Sequence, residues 1–133
     1  MSIQKKFLVL AGLSGVISVS LGALGAHTLR ERLDEKMMDA FNKGVLYEFI
    51  HTLALLALVP LYDHYKQKTF VIAGWCWVIG MVLFSGSLYL LSVRELLGWE
   101  GLSVIGIVTP FGGVAFIAGW LCLAIGGTRI KAT

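Results

Sequence analysis

The sequence predicts an all-α fold: an integral membrane four-helix bundle with an amphipathic interfacial helix between helices 1 and 2. Three observations carry the prediction. Of the 133 residues, 57% are hydrophobic and 14% charged, against about 45–50% apolar and about 25% charged in an ordinary soluble domain. The charges are also segregated: residues 7–26, 69–93 and 101–128 carry none, and residues 44–62 carry one, Glu48. A spanning helix needs about 20 apolar residues, so four spans, about 7–26, 44–62, 69–93 and 103–127, fill most of residues 1–133 as one transmembrane domain. The same composition excludes a soluble globular domain and a disordered chain, which needs low hydrophobicity and high net charge.

Helix 1 follows Lys5 and Lys6 in a pattern that imitates a secretory signal. Its apolar run of about 20 residues exceeds the 7–15 of a signal core, and it is read as a retained span. Ala11, Gly15, Ser18, Gly22 and Ala26 form one small-residue stripe. Such a stripe lets backbones approach closely in lipid, where no hydrophobic force draws helices together.

The connector, residues 28–43, places Leu29, Leu33, Met37 and Phe41 at every fourth position with charges on the other faces. That pattern predicts an amphipathic helix along the membrane interface, one that packs its apolar stripe on the bundle rather than serving as a dedicated lipid sensor. Helix 2 has Pro60 near its end, and the turn at residues 63–68 leads into helix 3. Trp75 and Trp77 suit an interface, and Ser85, Gly86 and Ser87 mark a close helix contact. In helix 4, Pro110 followed by Gly112 and Gly113 predicts a kink or unwound segment. Ser85, Ser87 or Thr109 would satisfy the backbone groups so released, because lipid offers none. Beyond it, Gly112, Ala115, Gly119, Cys122 and Gly126 form another small stripe.

Glu48 and His51 lie three residues apart, on one helical face with Gly44 and Leu55. Leu46, Phe49, Leu53 and Leu56 face lipid. Ionisable groups inside a membrane are costly and usually face the bundle interior. The expected reading is a hydrogen-bonded polar cluster of Tyr47, Glu48, His51 and Tyr89, with His27, Ser85, Ser87 and Thr109 as further candidates. Glu-x-x-His is half of a di-iron bundle motif, which needs a second copy and two more glutamates. No metal site and no cofactor are therefore expected, and no catalytic set is visible: Gly12-Leu13-Ser14-Gly15 lacks the spacing of a serine nucleophile motif. Cys76 and Cys122 read as packing residues without a disulfide.

The net charge of +3 comes without an aromatic-interleaved basic stripe, which excludes nucleic acid as a partner. The lipid bilayer is the expected partner, with a homo-oligomer or a membrane-protein partner as a further possibility. Basic flanks number six on the side of the two termini and the 63–68 turn, and five on the other. This predicts cytoplasmic termini in a bacterial cytoplasmic membrane.

Gly22-Ala23-Leu24-Gly25-Ala26-His27, Tyr47-Glu48-Phe49-Ile50-His51-Thr52-Leu53-Ala54-Leu55, Phe84-Ser85-Gly86-Ser87-Leu88-Tyr89, Thr109-Pro110-Phe111-Gly112-Gly113 and Ala118-Gly119-Trp120 occur in this order. Together they resemble the domain of unknown function 423 family, the YgdD-like small four-helix membrane proteins with a mitochondrial transmembrane relative. The resemblance covers nearly the whole chain. It implies four spans and a bacterial cytoplasmic or related organelle membrane, and no reaction. In the family pattern the position of Glu48 is often glutamine, which counts against obligatory metal or proton chemistry there.

The leading functional expectation is a non-enzymatic accessory, membrane-maintenance or assembly component. The alternative is a small proton or solute carrier, or a haem or metal redox protein, using His27, Glu48, His51 and the break at residues 109–113.

Overall fold

Helix α1 (Ile3–His27) begins where the Ser2 hydroxyl accepts from the Lys5 amide at 3.3 Å. Helix α2 (Glu35–Tyr65) begins where Asp34 accepts from the Met37 amide at 2.7 Å. Both are side-chain caps on otherwise unpaired amides of a first turn. Helices α3 (Lys68–Val93) and α4 (Thr109–Thr128) complete the bundle, with a 3-10 stretch over Glu100–Ile107 before α4. These elements come from a computed structural model that describes residues 1–130. Each long helix is apolar enough to cross a bilayer, so the four-span expectation holds.

Two expected elements differ. The connector is not one separate helix: Leu29–Glu31 forms a 3-10 turn, and residues 35–43 are the opening turns of α2 itself. Asp34 stops one helix from running into the other by capping α2. The apolar stripe of the connector packs on the bundle, with Leu29 and Phe41 buried. In helix 4 the expected unwound segment does not form at residues 109–113. Pro110 sits in the first turn of α4, where its missing N–H removes no helical bond, and Gly112 and Gly113 continue as regular helix. The departure from regular α-helix lies upstream, in Glu100–Ile107.

Helix α3 carries a distortion that the sequence did not signal. Over Met81–Ser85 it widens to π-helix, the Gly86 amide donating to the Met81 carbonyl. Such bulges are frequently found at functional sites.

Helix α1 packs on α2, α2 on α3, and α3 on α4. The last contact is an antiparallel zipper of glycine against aromatic: Gly112 receives Phe84, Gly119 receives Trp77, and Gly126 receives Phe70. Seven-residue spacing on both helices keeps the three pairs in register, and glycine lets each ring meet the opposing backbone. Trp77, expected at the interface, is instead buried in this contact, while Trp75 is exposed. Helix α1 does the same against α2, where Gly15 and Gly22 of the stripe meet Thr52 and Val45, and Gly25, rather than the exposed Ala26, meets Phe41. Both small-residue stripes are therefore used within the chain. Contact between α1 and α3 is slight, and this leaves a groove between them.

Candidate functional site

One face of α2 carries Gly44, Glu48, His51 and Leu55, and all four are buried. Leu46, Phe49, Leu53 and Leu56 are exposed on the other side. The face expected from the sequence is thus the face that packs, but it does not form one cluster. Glu48 turns toward α1 and α3, whereas His51 turns toward α4.

Glu48 is 6% exposed. Its Oε1 lies 3.0 Å from the Ser14 hydroxyl of α1, and its Oε2 accepts from the Tyr89 phenol of α3 at 2.5 Å. Thr52, one turn on, donates to the Glu48 carbonyl at 2.8 Å and lies 2.6 Å from Ser14 Oγ. Three helices are tied together by this one side chain. Gly44 makes room for the Tyr89 ring, since a side chain there would collide with it.

The groove between α1 and α3 has a volume of about 390 Å³. Leu10, Leu13 and Ile17 of α1 form one wall, and Val78, Met81 and Val82 of α3 form the other. Helix α2 closes the back, where Glu48, Ser14 and Tyr89 line it. Leu13, Ile17 and Val82 remain exposed along the mouth, so the opening faces lipid. Ser14 lies near the midpoint of α1, at the depth of the hydrocarbon core. The arrangement can hold an apolar body against the walls and a polar or charged group against Glu48.

His51 is 3% exposed. Its Nε2 accepts from the Trp120 indole at 3.0 Å, so Nδ1 carries the ring proton and donates to the Tyr47 carbonyl at 2.7 Å. Phe116 stacks on the imidazole with ring centroids 3.6 Å apart. Both nitrogens are engaged, and a metal would have to displace one of these bonds.

The other expected residues disperse. Tyr47 contributes its carbonyl to His51, while its ring packs on Phe84 and Phe116. His27 is exposed at the end of α1 and does not join Glu48 or His51. Ser87 donates to the Phe84 carbonyl at 2.9 Å and pairs with Thr109 at 2.6 Å, linking α3 to the start of α4. Ser85, fully buried in the π segment, has no hydrogen-bond partner among the described residues. Gly112 and Gly113 face Phe84 in the α3–α4 contact, Pro110 is exposed, and none of the three lines the Glu48 groove. Among the described residues, no three His, Cys, Asp or Glu side chains gather as a metal site would require.

Sequence reasoning missed Ser14, Thr52 and Trp120. Thr52 was accessible, because it lies four residues after Glu48 on the same face. Ser14 and Trp120 come from other helices, and only packing pairs them with Glu48 and His51.

A bundle of four apolar helices around this carboxyl group can be compared with known proteins. The profile of the family described as "Protein of unknown function (DUF423)" matches residues 21–113. The chain belongs to this family. The UPF0382 membrane protein YwdK of Bacillus subtilis is 36% identical over 127 residues, covering 95% of this chain and 98% of that protein. The UPF0382 membrane protein of Haemophilus influenzae is 39% identical over 128 residues, 96% of this chain and 98% of its own. The UPF0382 inner membrane protein YgdD of Escherichia coli is 39% identical over 124 residues, 93% of this chain and 90% of its own. No solved structure gives a significant match. The DUF423 match includes Glu48, His51 and Tyr89, while Ser14 and Trp120 lie outside it. This DUF423 chain is a multi-pass membrane protein of a family without an assigned activity.

Proposed function

We propose that the chain is a non-enzymatic component of the membrane that holds a lipid-soluble ligand in the groove between α1 and α3. One observation carries the reading: a buried carboxyl group lines the back of an apolar groove whose mouth faces lipid. Ionisable groups at membrane depth are costly and mark ligand or ion pathways. The described polar groups at Glu48 are hydroxyls gathered on one carboxyl group, with no histidine or lysine beside them, which favours holding a ligand over transforming one. Of the alternatives raised by the sequence, carriage of a proton or solute is supported by the Glu48 geometry. The haem or metal version is not, since His27 is exposed and apart from His51, whose nitrogens are both occupied.

The name of the Escherichia coli relative supports residence in a bacterial cytoplasmic membrane. Four spans put both termini on one side, and the slight excess of basic flanks supports the cytoplasmic side.

Photolabelling tests the groove. A neutral alkyl diazirine probe in nanodiscs is expected to mark Leu13, Ile17 and Val82. Gly86 lines the groove, and a Cβ there would meet nothing within 4 Å. Gly86→Leu should therefore fill the space, keep the melting temperature and abolish that labelling. Labelling spread evenly onto Leu121 and Ile125 would remove the proposal. Blue-native electrophoresis in mild detergent reads the accessory-subunit variant, which migration as a lone monomer in every condition would exclude.

A further inference from the structure

Among the described residues Glu48 has no cationic partner. Among the described residues the ion pairs are Lys43–Asp39, Lys66–Asp63 and Arg94–Glu95, all at helix ends. The groups facing Glu48 are the Ser14 hydroxyl from α1, the Tyr89 phenol from α3 and the Thr52 hydroxyl on its own helix. His51 is turned away toward Trp120 of α4. Among the described residues, nothing balances a charge on this carboxylate.

A count of hydrogens adds a second, independent argument. Four contacts link these groups: Tyr89 with Oε2, Thr52 with the Glu48 carbonyl, Ser14 with Thr52, and Ser14 with Oε1. Three hydroxyl groups bring only three protons. The Tyr89 proton goes to Oε2 and the Thr52 proton to the carbonyl, so Ser14 has one proton for two oxygen contacts; Met81 Sδ, 3.4 Å from Ser14 Oγ and 3.6 Å from Thr52 Oγ1, is a weak acceptor beside them. A proton on Oε1 supplies the fourth. The carboxyl group then donates to Ser14, Ser14 to Thr52, and Thr52 to the Glu48 carbonyl. When that proton leaves, Ser14 turns its hydroxyl to Oε1, and only the Ser14–Thr52 bond is lost. The network makes one more hydrogen bond around a neutral carboxyl than around an anionic one, and the anion also lacks a counter-charge.

We propose that the groove is an exchange site for a lipophilic monocation, an ammonium or charge-delocalised organic cation with an apolar body, which displaces the Glu48 proton. One cation enters from the bilayer, one proton leaves Oε1 for water, and the charge of the site is unchanged; no covalent bond forms. The apolar walls take the body of the ligand and the carboxylate takes its charge. Complementarity of charge selects this class: the groove holds one acid and no base. The proposal rests on the groove being a ligand site, as argued above.

The test is equilibrium binding of tetraphenylphosphonium to the full chain in nanodiscs between pH 6 and pH 8. Affinity is expected to rise with pH, by up to about tenfold per unit where each cation bound releases one proton. Glu48→Gln retains one donor and one acceptor. It should fold with an unchanged melting temperature, weaken binding by about tenfold or more, and show a flat pH profile. Gly86→Leu should abolish binding. Affinity independent of pH in the parent protein, or unchanged in Glu48→Gln, overturns the proposal. If the neutral diazirine probe still labels the groove in that case, the ligand site survives and only cation exchange is lost; if it does not, both fall. Should Glu48→Gln fail to fold, the pH profile of the parent and the Gly86→Leu variant decide.

Discussion

Trp120 donates its indole N–H to Nε2 of His51 over 3.0 Å, and this bond from α4 decides which imidazole nitrogen carries the proton. With Nε2 accepting, Nδ1 donates back to the Tyr47 carbonyl one turn earlier. The histidine that the sequence offered as a ligand is thereby a clamp between α2 and α4. Trp120→Phe keeps an aromatic ring and deletes the donor, leaving Nε2 buried and unpaired. Such a group costs about 1–3 kcal/mol, although hydrogen bonds between membrane helices average about 0.6 kcal/mol. A loss of about 1 kcal/mol is expected in SDS titration of the folded protein, and an unchanged midpoint would show that the bond contributes nothing.

The α3–α4 contact predicts a sharp contrast between two glycines. At Gly112 a Cβ would stand 2.8 Å from Phe84 Cα, which is backbone and cannot rotate away. At Gly12 a Cβ would meet nothing within 4 Å. Gly112→Ala should destabilise by about 2 kcal/mol or more, within the range of overpacked cores. Gly12→Ala should be neutral or stabilise by up to about 1 kcal/mol through helix propensity. Equal melting temperatures for the two variants would contradict the zipper.

Tyr89→Phe removes the donor to Glu48 Oε2 while keeping the ring that fills the space beside Gly44. The expected loss is about 1 kcal/mol, and it should shrink in a Glu48→Leu background, where no acceptor remains. A double-mutant cycle reads this coupling. Additive losses would mean that the two groups do not interact.

Lys66 ends α2 with φ 51°, in the left-handed region. A residue with a Cβ pays about 1–2 kcal/mol there, and glycine is the usual occupant of such a helix end. Lys66 also bonds exposed Asp63, a contact of small value in water. Lys66→Gly is expected to raise stability by about 0.5 kcal/mol after the entropy of glycine is counted. A fall in melting temperature would show that the Asp63 contact outweighs the strain.

Much of the fold was legible because lipid imposes simple rules. Long uncharged runs mark spans, and small residues at helical spacing mark faces that approach closely. The buried face of α2 followed from the spacing of Glu48 and His51 alone. The connector was misread because four apolar positions at every fourth residue describe equally an interfacial helix and the first turns of a spanning one. Only the Asp34 cap separates the two. Pro110 was read as a kink because a proline inside an apolar run is ambiguous until the start of the helix is known. The π segment at Met81–Ser85 has no composition of its own and could not be read.

The sequence by itself determined that this chain crosses a membrane four times, which face of α2 is buried, and that one acid lies well inside a span. These depend on local composition and helical period. Tertiary structure alone decided that Glu48 and His51 part company. Ser14 and Tyr89 draw one toward α1 and α3, and Trp120 and Phe116 draw the other toward α4. Partners 34 to 69 residues away are brought within hydrogen-bond distance only by helix packing, and no spacing along one helix records them.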